Sequence, residues 1–465
     1  MGRTRRAMRP KRRGWMRLTS WVGLRQLVEN LRGSYWFIPS VMAFGAVCLA
    51  IASIALDRTL PPDWLGDLRL IGPNGPEGAR AVLTTVAGSM IGVAGVTFSI
   101  TIAAVAYSAS QFAPRLLTNF MRDRGNQLTL GTFVAAFLYC LVVLRAVNEA
   151  WGPGSGEAAE PFVPQIATLV ALALAVAGCV VFIYYIHHIP QSIHISRVIA
   201  RIGETLNDRL REFFPEALLE PTTAPPIPVD AIEVRSEVAG YIQRIDLDHL
   251  TELARRIDAL IHLPHAAGEF VAVGRVIARV SARGLEEEVE ALADSVRSAF
   301  ALGALRTPRE DVLFPATELL EIATRALSPG VNDPFTAISC IDRLGAALSE
   351  VARRGDEHGQ RFDEEGTLRV VGRPLTFEVF TSEVLDRLRP YVVRDRNAAL
   401  HLASALVEVA EDVRTPSRRA ALRTQLLSLR EEASPHLCRA DADRMASRTR
   451  AALEALGPRP LALSA

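Results

Sequence analysis

The stretch VLTTVAGSMIGVAGVTFSITIAAVAY, residues 82–107, decides the fold. It has no charged residue and is long enough to cross a bilayer, which takes about 20 apolar residues as a helix. Three more stretches match it: Trp36–Leu56, Leu128–Val147 and Ile166–Ile186. None of the four holds an acidic residue, and Arg145 lies at the end of the third, where it can reach the interface. Trp36, Trp64, Trp151, Tyr184 and Tyr185 fall near the ends of these stretches, as interfacial aromatics do. Four transmembrane helices are therefore expected.

Within residues 84–110, the small residues Thr84, Gly88, Gly92, Gly95, Ser99, Ala103, Ala106 and Ser110 recur at spacings of three and four. At helical periodicity they fall within an arc of about 100°, a continuous small-residue stripe. Such a stripe lets helix backbones approach closely. Packing within one subunit, packing between subunits and the lining of a pore are all open for Gly88, Gly92, Gly95, Ser99, Ala103 and Ser110. Thr97, Thr101 and Ser108 lie on another face and are expected to bond to a neighbouring helix or touch water.

Orientation follows from the loops. Residues 1–34 carry ten basic residues against Glu29. The loop 108–126 carries Arg115, Arg122 and Arg124, and the segment after the fourth span carries Arg197, Arg201, Arg209 and Arg211. The loop 148–163 has no basic residue but has Glu149, Glu157 and Glu160. Basic loops alternate with acidic ones, which puts both termini in the cytoplasm. The first span is too long, and its charged arm too extended, for a cleaved signal peptide. The basic arm suits an anionic lipid surface. With an apolar span directly after it, nucleic acid is not the expected partner.

The 465-residue chain is 49% hydrophobic although 22% of its residues are charged, so polar and apolar residues are segregated into blocks. Lys11 is the single lysine among 52 basic residues. That excludes a phosphate loop of the G-x-x-x-x-G-K-[ST] type, a buried Schiff-base lysine, and a biotinyl or lipoyl lysine beyond the arm. The five cysteines have no C-x-x-C spacing, so no zinc site or disulfide framework is implied. His187 and His194 share a helical face, but no third ligand accompanies them and Pro190 is expected to interrupt the helix. No cofactor or metal is expected.

Beyond the membrane the pattern is α+β. Pro221, Pro225, Pro226 and Pro228 mark a linker. Strands are expected at Ile232–Val238, Gly240–Ile245, Ala259–His262, Phe270–Val273 and Val276–Val280, with a helix at Leu247–Arg256. This segment resembles the small β-barrel or sandwich of lipoyl and biotinyl carrier domains, without their modified lysine. From Leu285 onward the period is helical, with candidates at Leu285–Phe300, Pro308–Ala326, Pro334–Arg353, Phe377–Val393, Arg396–Asp412, Arg418–Glu432 and Ala440–Leu456. The expected division is 1–34 basic arm, 35–187 membrane domain, 188–230 interfacial helix and linker, 231–283 small β domain, 284–457 helical domain, and 458–465 tail.

The turn Ser328-Pro329-Gly330-Val331-Asn332-Asp333-Pro334 tempts a catalytic reading. Capping explains it more simply. Gly330 permits a positive φ after one helix, Asp333 caps the next, and Pro334 suits its first position. No Ser/His/Asp order or close carboxylate pair elsewhere marks an enzyme.

Several motifs together carry a family resemblance. They are SQFAPRLL at 110–117, which includes Gln111, Pro114 and Arg115; Asn119-Phe120; RDRGNQ at 122–127, which includes Arg122, Asp123, Arg124 and Asn126; IPQSI at 189–193; LSPGVNDPFTA at 327–337; and CIDRL at 340–344. With these, the chain resembles the bacterial predicted membrane protein family of domain of unknown function 2254, over roughly residues 30–430. The resemblance implies the same architecture in a bacterial plasma membrane and supplies no mechanism. The expectation is a homo-oligomeric pore or transport-related protein, or alternatively a membrane-anchored scaffold or sensor.

Overall fold

The computed structural model describes residues 36–59, 76–111, 123–148, 162–217, 225–281, 289–308 and 310–457. Four helices among them are long and apolar enough to cross a membrane: α1 (Phe37–Thr59), α2 (Pro76–Gln111), α3 (Arg124–Asn148) and α4 (Gln165–Ile193). The hub is α3, which packs against the other three. Its most apolar window is 56% buried, against 22–28% for the others. Phe133, Tyr139, Cys140 and Val143 on α3 are fully buried.

Close approach is set by two glycines outside the expected stripe. A Cβ on Gly131 of α3 would lie 2.5 Å from Met42 Sδ and 3.3 Å from the Pro39 Cα, so α1 crosses α3 there with no room for a side chain. A Cβ on Gly178 of α4 would lie 2.8 Å from Met90 Sδ of α2. Small residues at helix crossings let dispersion contacts form between backbones, the main attraction available in lipid.

Polar groups tie the bundle at both ends. Asp57, one residue past the expected first span, lies within α1 and caps α4, accepting from Ile166 N and Ala167 N at 2.9 Å each. A carboxylate there satisfies free N–H groups and matches the helix dipole. Near the other end, Tyr185 of α4 donates to the Thr97 carbonyl oxygen at 2.6 Å and lies 2.9 Å from Thr101 Oγ1. Thr101 thus joins α2 to α4 through its hydroxyl, one of the two roles expected of that face, whereas the Thr97 hydroxyl donates within α2 to the Ala94 carbonyl at 3.0 Å. The side chain of Ser108 is not among those described.

Pro190 does not interrupt α4, which runs on to Ile193; the break comes at His194, where the backbone turns extended (φ −64°, ψ 115°). Then α5 (Ile195–Phe213) begins, burying Ile199, Ile202, Leu206 and Leu210 along one face. That face joins a core shared with the later helices, and Val105 of α2 belongs to the same cluster.

The expected carrier-like barrel is not present. Strands β1 (Ile232–Arg235), β2 (Gly240–Ile245), β3 (Leu260–His262), β4 (Phe270–Val271) and β5 (Val276–Ser281) form, with α6 (Leu247–Arg256) between β2 and β3. They divide between two open sheets. After α7 (Val289–Ser298) comes β6 (Phe300–Gly303), and the three-stranded sheet is ordered β4-β2-β6. The other sheet takes strands from farther on: β7 (Gln360–Phe362) and β8 (Leu368–Val371) complete the order β1-β5-β3-β8-β7. Among the described residues only the β3–β8 pairing is parallel, with Ile261 opposite Val370. A parallel pair needs a long crossover. Here that crossover is the chain between them, which holds two of the large helices. Residues from 285 onward are therefore not all helical.

Those helices are α8 (Phe314–Ala326), α9 (Pro334–Arg353), α10 (Phe377–Val392), α11 (Arg396–Asp412), α12 (Pro416–Ala433) and α13 (Arg439–Ala455). They share one apolar core with α5. Arg418 is 1% exposed inside it. Its guanidinium donates to the carbonyls of Val351, Ala352 and Arg354, at 3.2, 3.0 and 2.7 Å, and pairs with Asp356 at 2.7 Å. A cation on the last carbonyls of α9 satisfies acceptors that the helix itself cannot.

Candidate functional site

A cavity of about 580 Å³ opens where three parts of the extramembrane region meet. Its walls come from the end of α5, from the sheet unit around Arg244–Asp248 and Ala266–Glu269, and from the helical part around Asp311–Leu313 and Arg373–Val379. A volume of this size is typical of small-molecule sites. Phe213, Val312, Leu313, Leu375 and Val379 supply apolar surface.

The polar groups are arginines matched to carboxylates. Arg373 pairs with Glu269, whose other oxygen lies 2.8 Å from His265 Nδ1. Arg244 Nε lies 3.2 Å from Glu310, and the second Glu310 oxygen accepts from Ile245 N at 3.0 Å. Arg209 and Arg361 pair with Glu212 and Glu357, at 3.1 and 3.0 Å. The Arg373 and Arg244 pairs join different parts of the fold, so the cleft is latched by charge. Its lining offers ion pairing, hydrogen bonding and apolar contact.

The cleft depends on Gly268, which has φ +90°. A Cβ there would lie 2.1 Å from Asp311 Oδ2. Asp311 is buried and accepts from Arg306 Nε at 2.8 Å. Burial pushes the Asp311 carboxyl up from its ordinary pKa, and Arg306 pulls the other way.

The turn at 328–334 caps helices. Asp333 accepts from Thr336 N at 3.1 Å and Thr336 Oγ1 at 2.6 Å, and Pro334 takes the first position of α9. Ser328 Oγ donates back to the Arg325 carbonyl at 2.6 Å. One detail differs from expectation: the left-handed residue is Asn332 (φ 49°), not Gly330. Val331 N and Asn332 N both bond to the Ser328 carbonyl, so the chain reverses two residues later than Gly330 suggested. Asn tolerates that conformation better than most residues with a Cβ. Pro329, Gly330 and Asn332 are exposed, away from the cleft lining.

The stripe on α2 faces outward. Nothing among the described residues lies within 4 Å of a Cβ built on Gly88, Gly92 or Gly95, and Ser99 and Ala103 are exposed. Among the described residues, none packs against these glycines. Ser110 and Gln111 end α2, with side chains outside those described. Pro114, Arg115, Arg122 and the basic arm lie outside the described residues. Asp123 caps α3 through Asn126 N at 3.1 Å and holds His188 of α4 at 3.0 Å. The Asn126 side chain is buried, with neither polar atom bonded.

The one carboxylate cluster at metal-ligand spacing among the described residues is exposed: Glu237, Glu290 and Asp294. All three pair with Arg297, which neutralises much of their charge.

Residues 32–408 match the family model described as "Predicted membrane protein (DUF2254)". The chain belongs to this family. Uncharacterized proteins of Mycobacterium tuberculosis (strain H37Rv) and Mycobacterium bovis are each 30% identical to it over 430 residues, covering 90% of this chain and 80% of theirs. No solved structure matches the chain. Membership of the DUF2254 family agrees with the four apolar helices and assigns no residue a role.

Proposed function

We propose that this DUF2254 protein is a non-catalytic plasma-membrane protein, with both termini in the cytoplasm, that self-associates through α2 to form a pore or transport path. The observation carrying this reading is the small-residue face of α2, which no described residue covers. Residues with little side chain offer lipid little contact, and they allow a second helix to approach closely. The cytoplasmic part then serves as a regulatory domain, coupled to the bundle through α5 and Val105. Planar-bilayer recording of purified protein under voltage and tension tests conduction. Gly92→Leu is expected to abolish both self-association and any current. A silent, monomeric wild type would overturn the reading.

The charged cleft favours a second reading, a membrane-anchored sensor of a small ligand without transport activity. Arg373→Ala breaks one latch of the cleft. If conduction is absent and this variant alone changes cleavage by a protease near the sheet unit, the sensor reading stands in place of the pore.

A further inference from the structure

A second cavity, of about 470 Å³, lies where the bundle meets the extramembrane helices. Its lining includes Asp123 and Arg124 at the start of α3, His188 on α4, Arg201 and Thr205 on α5, and Glu318 on α8. Both arginines are exposed, and neither side chain has an ion-pair or hydrogen-bond partner among the described residues. The arginines of the larger cleft are all paired. Here two guanidinium groups without a described partner line one cavity from different helices.

The carboxylates nearby are already engaged. Asp123 is held by His188 and by the Asn126 N–H. Glu318 is buried and has an interaction of its own. The glycine between Arg124 and Asn126 is also needed: a Cβ on Gly125 would lie 2.7 Å from His188 Nε2. The walls therefore have fixed positions while the two guanidinium groups remain available.

The surroundings point to an oxyanion at the membrane surface. The third apolar span begins at Arg124 and the fourth ends at Ile189. Tyr184 stacks on His188 with ring centroids 5.1 Å apart, and Ile183 and Ile186 beside them are exposed apolar side chains. Lipid-facing apolar surface thus runs directly into the charged cavity. Arginine's forked donors match phosphate oxygens.

We propose that Arg124 and Arg201 together bind a phosphate group in this cavity. Two sources share that chemistry: the phosphodiester of an anionic phospholipid headgroup, and free inorganic phosphate. With Glu318 on the wall, a singly charged phosphodiester is accommodated better than a dianion. This inference does not rest on self-association.

The test uses the full-length protein in neutral detergent. Phosphatidylglycerol binding is followed by native mass spectrometry, and inorganic phosphate binding by thermal stabilisation at pH 7. The wild type is expected to bind phosphatidylglycerol, with R124A/R201A weaker by about tenfold or more, as loss of charge-assisted bonds implies. R256A removes a surface arginine of α6 paired to Glu252 and serves as the control, with unchanged affinity expected. Should the double variant lose its native elution profile, R124Q and R201Q taken singly are each expected to weaken binding several-fold. A loss seen with phosphatidylglycerol alone assigns the lipid source. A loss also seen with inorganic phosphate assigns free phosphate as a source. Wild-type affinity in the double variant, equal weakening by R256A, or no binding of either probe would each overturn the proposal.

Discussion

Helices α2 and α3 have similar apolar character and opposite fates. Both contain glycines, yet Gly131 of α3 lies under Met42 and Pro39 while Gly88, Gly92 and Gly95 of α2 meet nothing within 4 Å. The buried face of α2 is instead made of Leu83, Val86, Ala87, Met90 and Ala94, which fill the space against α3 and α4. The difference teaches that a small residue marks a possible close approach, whereas the bulk on the partner decides whether it is used. A single glycine opposite a methionine and a proline does more for this bundle than three glycines in register.

The largest effect that would break this comparison is at Gly131. Gly131→Val forces branched carbons into the α1 crossing, where one neighbour is backbone and cannot swing away. Overpacking of this kind costs about 3 kcal/mol. The expected result is a clear drop in the thermal midpoint of the detergent-solubilised protein. Gly178→Ala is expected to cost less, because the flexible end of Met90 can yield. Equal effects at the two sites would show that partner rigidity is not what distinguishes them.

Polar contacts give a smaller handle. Tyr185→Phe removes the hydroxyl that joins α4 to the Thr97 carbonyl and Thr101 of α2. Thr101 keeps its own bond to the Thr97 carbonyl at 2.8 Å, so no hydroxyl is stranded. Hydrogen bonds between helices in lipid are worth about 0.6–2 kcal/mol, and a loss within that range is expected in unfolding titrations. No change would mean that α2 is positioned by packing alone.

The same logic explains what the sequence disclosed. All four spans are legible because a run of apolar residues without charge has few alternatives. Helices such as Pro334–Arg353 and Arg396–Asp412 are legible from period, and Asp333 from its place before Pro334. The sheets are not, because β3 pairs with β8 from far down the chain and no local pattern encodes a parallel partner. The barrel expectation rested on the five local strands. It failed because the sheet grows outward by β8 and β7 instead of closing. Both cavities are likewise assembled from separated segments. Arg124 and Arg201 read in sequence only as positive charge near a membrane, since pairing is a property of neighbours in space.

The smallest expected effect on the protomer sharpens the comparison most. Gly92→Leu places a large apolar side chain on the open face of α2, where no described atom stands in its way. Replacing glycine in a helix interior also removes a propensity penalty of about 1 kcal/mol. The folded protomer is therefore expected to be no less stable than the wild type. If the open face is an intersubunit contact, the same substitution separates the subunits, seen as a shift to monomer in light scattering from detergent complexes. A destabilised protomer would mean that this face is covered within the chain. A stable protomer with an unchanged oligomer would mean that lipid is its natural neighbour. Gly131 and Gly92, changed in parallel, therefore separate the packing that makes one subunit from the packing that joins two.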